Sequence, residues 1–135
     1  MKTSCYRNIN RLNPASEMPV GISIGLPRWI PQSKYRLYQP LAPTRQMLKL
    51  SYHEYLPRYR AILDTLDPRK VWHDLHTLSD GLEPVLLCYE QPPIHPDNFC
   101  HRRMAADWLE HHLDVTISEW IDNTPNIENV SLFGV

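Results

Sequence analysis

The central strand of this protein is predicted by residues 84–90, which read PVLLCYE. Their almost unbroken apolar run is typical of a strand that is buried on both faces, and such burial favours a parallel sheet with a covering layer on each side. The run ends on the thiol of Cys88 and the carboxylate of Glu90. We therefore expect both groups at the carboxyl edge of the sheet, where open α/β sheets bind their ligands.

The helix that follows this strand is predicted over residues 99–113, with Asp97 or Asn98 as its N-cap. Its first turn carries the sequence CHR at residues 100–102. Helical spacing places His101 near the middle of the apolar side, so its ring should point toward the tip of the preceding strand. A right-handed strand–loop–helix connection then brings the thiol and carboxylate of that strand within reach of the helix start.

The remaining elements alternate between short β-branched runs and amphipathic segments. Strands are predicted at residues 3–6, 20–25 and 115–118, a short helix at 45–50, and longer helices after the capping box Ser51–Glu54 and after Asp67-Pro68. Together they predict an α/β fold, a small and mainly parallel sheet of three to five strands flanked by helices. We expect a single domain over residues 1–120 and a C-terminal tail over 121–135.

The composition is that of a globular protein. The chain has 135 residues, of which 42% are hydrophobic and 21% charged. No apolar run approaches the roughly 20 residues that span a membrane, and the N-terminus lacks the apolar core of a signal peptide. We therefore expect a cytoplasmic protein without membrane contacts. Three cysteines at irregular spacing argue against a disulfide framework.

The charges are divided unequally along the chain. Residues 1–50 have a net charge of +7, and residues 51–135 have a net charge of −8. Such asymmetry predicts an anionic partner, either a small molecule or a nucleic acid. The aromatic residues Trp29, Tyr35 and Tyr38 lie among the bases, as in surfaces that stack on nucleobases. In the alternative, the basic half packs beside the acidic half and the two neutralise each other.

The groups predicted to meet at the carboxyl edge have the chemistry of an active site. The free N–H groups and dipole of a helix start favour an anion and would make Cys100 a nucleophilic thiolate. His101 would act as acid or base with Glu90 orienting it, and Arg102 would clamp a carboxylate or phosphate. In the alternative, Cys88 and Cys100 are core residues, and Glu90 and Arg102 form a structural ion pair.

A metal site is a further alternative, with Cys88, Cys100, His101 and His95 as ligands. Their spacing matches no zinc signature, so the sequence predicts neither metal nor cofactor. The histidine pairs at 73 and 76 and at 111 and 112 are interpreted as parts of polar helix faces.

Several of these motifs together resemble the bacterial and phage proteins grouped as domain of unknown function 488. The shared motifs are TSCY at 3–6, the strand at 20–25 with PRW at 27–29, Tyr38 with LAP at 41–43, LLCYE at 86–90, CHR at 100–102, and WL at 108–109. The resemblance implies a small α/β domain and adds weight to Arg28 and Trp29. It implies no particular reaction.

The sequence thus predicts an uncharacterised enzyme, a hydrolase or transferase acting on a phosphate-bearing or nucleic-acid-derived substrate. Glu90, His101 and Cys100 would be catalytic, and the substrate would be bound by Arg102, Arg28, Trp29, Tyr38 and Cys88. Replacing Glu90 or His101 by Ala is expected to abolish turnover and to leave thermal stability nearly unchanged. The alternatives are a non-catalytic module that binds nucleic acid or a partner protein, and a thiol redox or metal domain.

Overall fold

The computed structural model describes residues 1–90 and 97–122. Its strands are β1 (Lys2–Cys5), β2 (Glu17–Gly21), β3 (Arg36–Leu37), β4 (Glu83–Cys88) and β5 (Ser118–Glu119). Its helices are α1 (Tyr52–Asp64), α2 (Pro68–Leu78) and α3 (His101–Leu113). Short 3-10 helices occur at Tyr6–Arg11, Gln32–Lys34, Gln39–Leu41 and Arg45–Lys49. Within the described residues, no helix is long and apolar enough to cross a membrane.

The strands form one sheet in the order β3-β2-β4-β1-β5, and each of its neighbouring pairs is parallel. The predicted α/β fold with a small parallel sheet is therefore confirmed. Cys5 at the end of β1 lies in register with Cys88 at the end of β4, and Gly21 at the end of β2 lies opposite Leu87. The carboxyl ends of the three longest strands thus meet at one edge.

Strand β4 is buried on both faces, as its apolar run predicts. Leu86 packs with the three α-helices on one face, in a core that also includes Tyr59 of α1 and Leu109 of α3. Val85 and Leu87 face the opposite side. That side is covered by the first 3-10 helix and the irregular segment 26–35, so the α-helices of the described residues all lie on the other face of the sheet.

Several element bounds differ from the prediction. Strand β2 covers Glu17–Gly21 instead of 20–25, because the chain turns soon after Ile22, where the Ser23 hydroxyl donates to the Gly25 carbonyl. The segment 45–49 is a 3-10 helix, and β5 lies at Ser118–Glu119 instead of 115–118. Most of the predicted tail, residues 123–135, lies outside the described residues.

The helix starts that carry capping signals are confirmed. Ser51 precedes α1, and its hydroxyl lies 2.9 Å from a carboxylate oxygen of Glu54. Asp67 caps α2 by accepting a hydrogen bond from the Arg69 N–H at 3.0 Å. Helix α3 begins at His101 with Cys100 as its N-cap, in place of the predicted Asp97 or Asn98.

Candidate functional site

An open cavity of about 460 Å³ lies at the carboxyl edge of the sheet. It is lined by residues 23–25 after β2, residues 88–90 at the end of β4, and residues 97–101 at the start of α3. Cys88, Glu90, Cys100 and His101 therefore share one cavity, as predicted. This placement follows from the parallel sheet, since the ends of β2 and β4 and the start of α3 meet at the same edge. The chemical roles of the four residues stay predictions.

The two cysteines of the cavity are brought together by strand alternation and by the helix cap. Cys88 points to the same face as Leu86, toward α3, and Cys100 is the residue just before that helix. Both are buried, and their sulfur atoms are in contact, as in a disulfide. Their Cα atoms are 7.1 Å apart, which is wider than the roughly 4.4–6.8 Å that disulfides usually span. The third cysteine, Cys5, is a buried free thiol in β1.

The imidazole of His101 is buried, with 6% of the residue exposed. Its Nε2 lies 2.7 Å from the carbonyl oxygen of Ile22, and its ring meets Tyr59 edge-on at 5.4 Å between centroids. Because a carbonyl only accepts, Nε2 donates the hydrogen bond and Nδ1 keeps a lone pair. Burial lowers the pKa of His101 to about 4, despite the hydrogen bond to Ile22. The ring is therefore neutral at neutral pH, and its proton is held by the backbone.

Arg102 is fully buried, and hydrogen bonds to neighbouring residues hold its guanidinium in place. Its Nε and Nη2 donate to the carboxylate of Glu119 at 3.0 and 2.8 Å. Its Nη1 donates to the carbonyl oxygen of Glu90 at 2.6 Å and to the sulfur of Cys88 at 3.2 Å. The predicted ion pair between Arg102 and the Glu90 carboxylate is wrong, because Glu119 is the carboxylate partner. Arg102 does not line the described part of the cavity, so its position does not support the predicted substrate clamp.

Glu90 is exposed at the cavity, and among the described residues its carboxylate has no ion-pair partner. Burial, followed by the negative charge of Glu90, raises the pKa of Tyr55 well above its ordinary value. Glu90 and Asp97 are the charged side chains of the lining, and within the described residues no Lys or Arg joins them. The cavity therefore has an acidic rim and an otherwise neutral wall.

Three predicted substrate-binding residues lie away from this cavity. Arg28 and Trp29 are exposed, Trp29 by 60%, on the segment that covers the other face of the sheet. Tyr38 is half-buried, and its hydroxyl donates to Asp74 of α2 at 2.9 Å. None of the three lines the described part of the cavity. Their predicted role in substrate binding is not supported by their positions.

Charged residues of the basic half pair with acids of the second half. Ion pairs join Lys2 to Glu83 at 3.1 Å, Arg11 to Asp122 at 3.0 Å, and Arg36 to Asp80 at 3.4 Å. For these three bases, the structure supports the alternative in which the two halves neutralise each other. The charge asymmetry of the sequence therefore overstates the basic charge that is free to attract an anion.

The aromatic part of the cavity was not predicted from the sequence. Tyr55 of α1, Tyr89 and Phe99 line it, and the Tyr89 hydroxyl donates to the Gly25 carbonyl at 2.8 Å. In the sequence, Tyr55 occupies an apolar position of the helix after Ser51, and helical spacing gives no sign of a cavity there. His95, the fourth ligand in the predicted metal alternative, lies outside the described residues.

Comparison with known protein families identifies the family of this chain. The model of a family described as "Domain of unknown function DUF488" matches residues 7–109, a range that includes β4, Glu90 and the first turn of α3. This match confirms the resemblance seen in the motifs. Neither the curated proteins nor the solved structures that were searched gave a match.

Proposed function

We propose that this chain, which belongs to the DUF488 family, is an enzyme that acts on a small nucleotide-like substrate in the cavity at the carboxyl edge of its sheet. The observation that carries the proposal is the carboxylate of Glu90, which lies at a concave cavity and has no ion-pair partner within residues 1–90 and 97–122. The cavity volume of about 460 Å³ lies within the range of roughly 300–1,000 Å³ that is usual for small-molecule sites. A concave site of this size favours a small substrate over a nucleic acid strand.

Glu90 is the proposed general base. Its backbone carbonyl is held by Arg102 at 2.6 Å, and its side chain extends into solvent at the cavity. A group that exchanges protons with a substrate needs this combination of a fixed backbone and an unpaired side chain. His101 is less suited to this role, because its Nε2 proton is already shared with the Ile22 carbonyl.

The start of α3 is the proposed anion-binding element. The N–H groups that open an α-helix generally have no acceptor inside it, and they add to the positive end of the helix dipole. In α3 the Arg103 N–H donates to the Cys100 carbonyl at 3.2 Å, so the N–H groups before it are the proposed donors to the anion. Cys100 and His101 at this start line the cavity, so a phosphate bound there would lie close to the reacting groups. The negative charges of Glu90 and Asp97 repel an anion in the cavity, and the repulsion grows with the charge of the anion. A monophosphate therefore fits this site better than a polyphosphate.

The aromatic residues supply the proposed base-binding surface. Tyr89 and Phe99 line the cavity beside the start of α3, whereas Trp29 and Tyr38 lie elsewhere. Aromatic faces bind nucleobases by stacking, at about 1–3 kcal/mol per base. The support for a nucleotide-like substrate is therefore a helix start for the phosphate and flat rings for the base within one cavity.

A ligand screen followed by a turnover assay tests this proposal. Nucleosides, nucleoside monophosphates and sugar phosphates are added to the wild type, and unfolding temperatures are measured. A ligand at 100 times its Kd adds about 2.7 kcal/mol to stability, which raises the unfolding temperature by several degrees. Ligands that stabilise the protein are then incubated with it, and their conversion is followed by mass spectrometry.

The variant Glu90→Gln should still be stabilised by the ligand but should lose turnover by about 10²-fold or more. Glu54→Gln makes the same chemical change on the exposed first turn of α1, where Gln can keep the contact with Ser51, and it should retain wild-type turnover. Wild-type turnover in Glu90→Gln would contradict the proposal.

Salt dependence separates the enzyme from the alternative nucleic-acid-binding module. A protein that covers several phosphates of duplex DNA loses affinity with a log–log slope of about −0.9 for each phosphate. We expect a shallow slope for the small ligand and weak binding of oligonucleotides. Tight oligonucleotide binding with a steep slope, and no turnover of any small ligand, would favour the binding module.

A further inference from the structure

We propose that Cys88, Cys100 and His101 bind one divalent transition-metal ion, with Zn²⁺ as the best match. Their two sulfur atoms and a ring nitrogen lie within 4.8 Å of one another, and all three residues are buried. Thiolate and imidazole ligands select zinc and similar ions over Mg²⁺ or Ca²⁺. This metal site does not depend on the proposed catalytic role of Glu90.

The histidine keeps one ring nitrogen for a metal ion. Its Nε2 donates to the Ile22 carbonyl at 2.7 Å, which leaves Nδ1 as the nitrogen with a free lone pair. Metal-binding histidines commonly donate their second ring N–H to a carbonyl or carboxylate, which sets both the tautomer and the ring plane. The strand extension at Ile22 therefore supplies the outer support that such a site needs.

Positive charge lies close to the two cysteines. Arg102 donates to the Cys88 sulfur at 3.2 Å, and Cys100 lies at the positive end of the α3 dipole. The same guanidinium is paired with Glu119 at 2.8 Å, which holds it beside the sulfur. Arg102 would therefore act as an outer-shell donor to a metal-bound Cys88.

The backbone separation fits a metal better than a disulfide. The Cα atoms are 7.1 Å apart, beyond the usual limit for a disulfide of about 6.8 Å. Two Zn–S bonds of about 2.3 Å each span a wider gap than a single S–S bond of about 2.04 Å. A metal ion between the two sulfur atoms, which would have to move apart, therefore fits this Cα separation better than a disulfide does.

Among the described residues, the site has three protein ligands, and it lies at an open cavity. Cys88, Cys100 and His101 all line that cavity, so the fourth position of a tetrahedral ion would face it. Structural zinc sites use four protein ligands, whereas sites that bind an exogenous molecule keep one position open. The arrangement therefore predicts an ion that water or another small ligand can reach.

Cobalt substitution tests the site directly. The reduced full-length chain is titrated with Co²⁺, and the sulfur-to-cobalt charge-transfer band and the visible bands of tetrahedral cobalt are recorded. Zn²⁺ is then added, and the metal retained after gel filtration is measured by elemental analysis. The variants are Cys88→Ser and Cys100→Ser, and Cys5→Ser is the matched control because Cys5 is buried in the neighbouring strand but lies outside the cluster.

We expect the wild type and Cys5→Ser to bind one Co²⁺ per chain with a charge-transfer band that Zn²⁺ abolishes. Cys88→Ser and Cys100→Ser should bind at least about tenfold more weakly. If both variants fail to fold, as judged by circular dichroism, the wild-type spectrum alone decides. The absence of a charge-transfer band in the reduced wild type, or an unchanged band in folded Cys88→Ser, would overturn the proposal. A non-reduced chain lighter by two hydrogen atoms that binds no metal after reduction would overturn it in favour of a disulfide.

Discussion

The two edges of the parallel sheet differ in whether their carboxylates have ion-pair partners. At the amino edge, Glu83 is paired with the N-terminal amine at 3.3 Å and with Lys2 at 3.1 Å, and Lys2 also reaches Glu17 at 3.3 Å. At the carboxyl edge, Glu90 opens on a cavity without an ion-pair partner among the described residues. The carboxylates of the amino edge are therefore paired, and the carboxyl edge leaves one carboxylate available.

Arg102 shows that the carboxyl edge also contains structural charge. Its guanidinium is paired with Glu119 and donates to the Glu90 carbonyl, and it does not line the described part of the cavity. The carboxyl edge thus has a buried layer, which contains Arg102 and positions other residues. It also has an exposed layer, which contains Glu90 and can bind or react. Replacing residues in each layer and at the amino edge separates these roles.

The largest effect is expected from Arg102→Met. Removing one partner of a buried ion pair typically costs about 3–5 kcal/mol. This change also removes the Arg102 donors from the Glu90 carbonyl and the Glu119 carboxylate, although the Thr3 hydroxyl still donates to Glu119 at 2.8 Å. Urea unfolding followed by circular dichroism measures the loss. Arg28→Met at an exposed position is the control and should change stability by less than about 0.5 kcal/mol. Equal stability of the two variants would show that Arg102 does not contribute to the free energy of unfolding.

A smaller but clear effect is expected from His101→Ala. From the sequence alone, this change should leave stability nearly unchanged, but the buried ring packs on Tyr59 and donates to Ile22. Losing the ring and orphaning the carbonyl should cost about 2–4 kcal/mol. His111→Ala on the exposed last turn of α3 is the control in the same unfolding assay. A stability loss below about 0.5 kcal/mol in His101→Ala would assign His101 to the exposed layer.

The smallest effect is expected at the amino edge, and it depends on pH. Burial raises the pKa of Glu83, but Lys2 and the N-terminal amine outweigh this and lower the pKa below its ordinary value. The carboxylate therefore stabilises the fold above its unfolded pKa of about 4.3, and this contribution is lost as pH falls through the lower folded pKa. Since Glu83 is partly exposed, Glu83→Gln should cost at most about 1 kcal/mol at pH 7.

The difference between wild type and Glu83→Gln should shrink as the pH falls into the acid range, and it should also shrink at high salt. Unfolding midpoints of both proteins across pH and ionic strength measure it. A constant difference at every pH would mean that Glu83 contributes through packing and not through its charge.

Local sequence patterns predicted the elements that meet at the cavity. The apolar run at 84–90 and the capped helix after it placed Glu90 and His101 at one edge, because strand burial and helix capping depend on neighbouring residues. The partner of Arg102 was not predictable in this way. Glu119 lies on a two-residue strand, and only its pairing with β1 brings it to the guanidinium.

The irregular segment 26–35 was the least predictable part of the chain. It has no period that marks an inner and an outer side, so the sequence did not show that Ile30 and Tyr35 pack on the face opposite the helices. Arg28 and Trp29 belong to this segment and therefore lie away from the cavity.

The sequence by itself determined the parallel α/β architecture and the edge of the sheet where reactive side chains collect. Both follow from apolar runs, caps and chain direction, which act over a few neighbouring residues. Only the tertiary structure decided which of those side chains are available. Arg102 is used for support, His101 gives its Nε2 proton to the Ile22 carbonyl, and Glu90 remains open to the cavity. Availability depends on burial and on partners that are distant along the chain, and neither is encoded in local spacing.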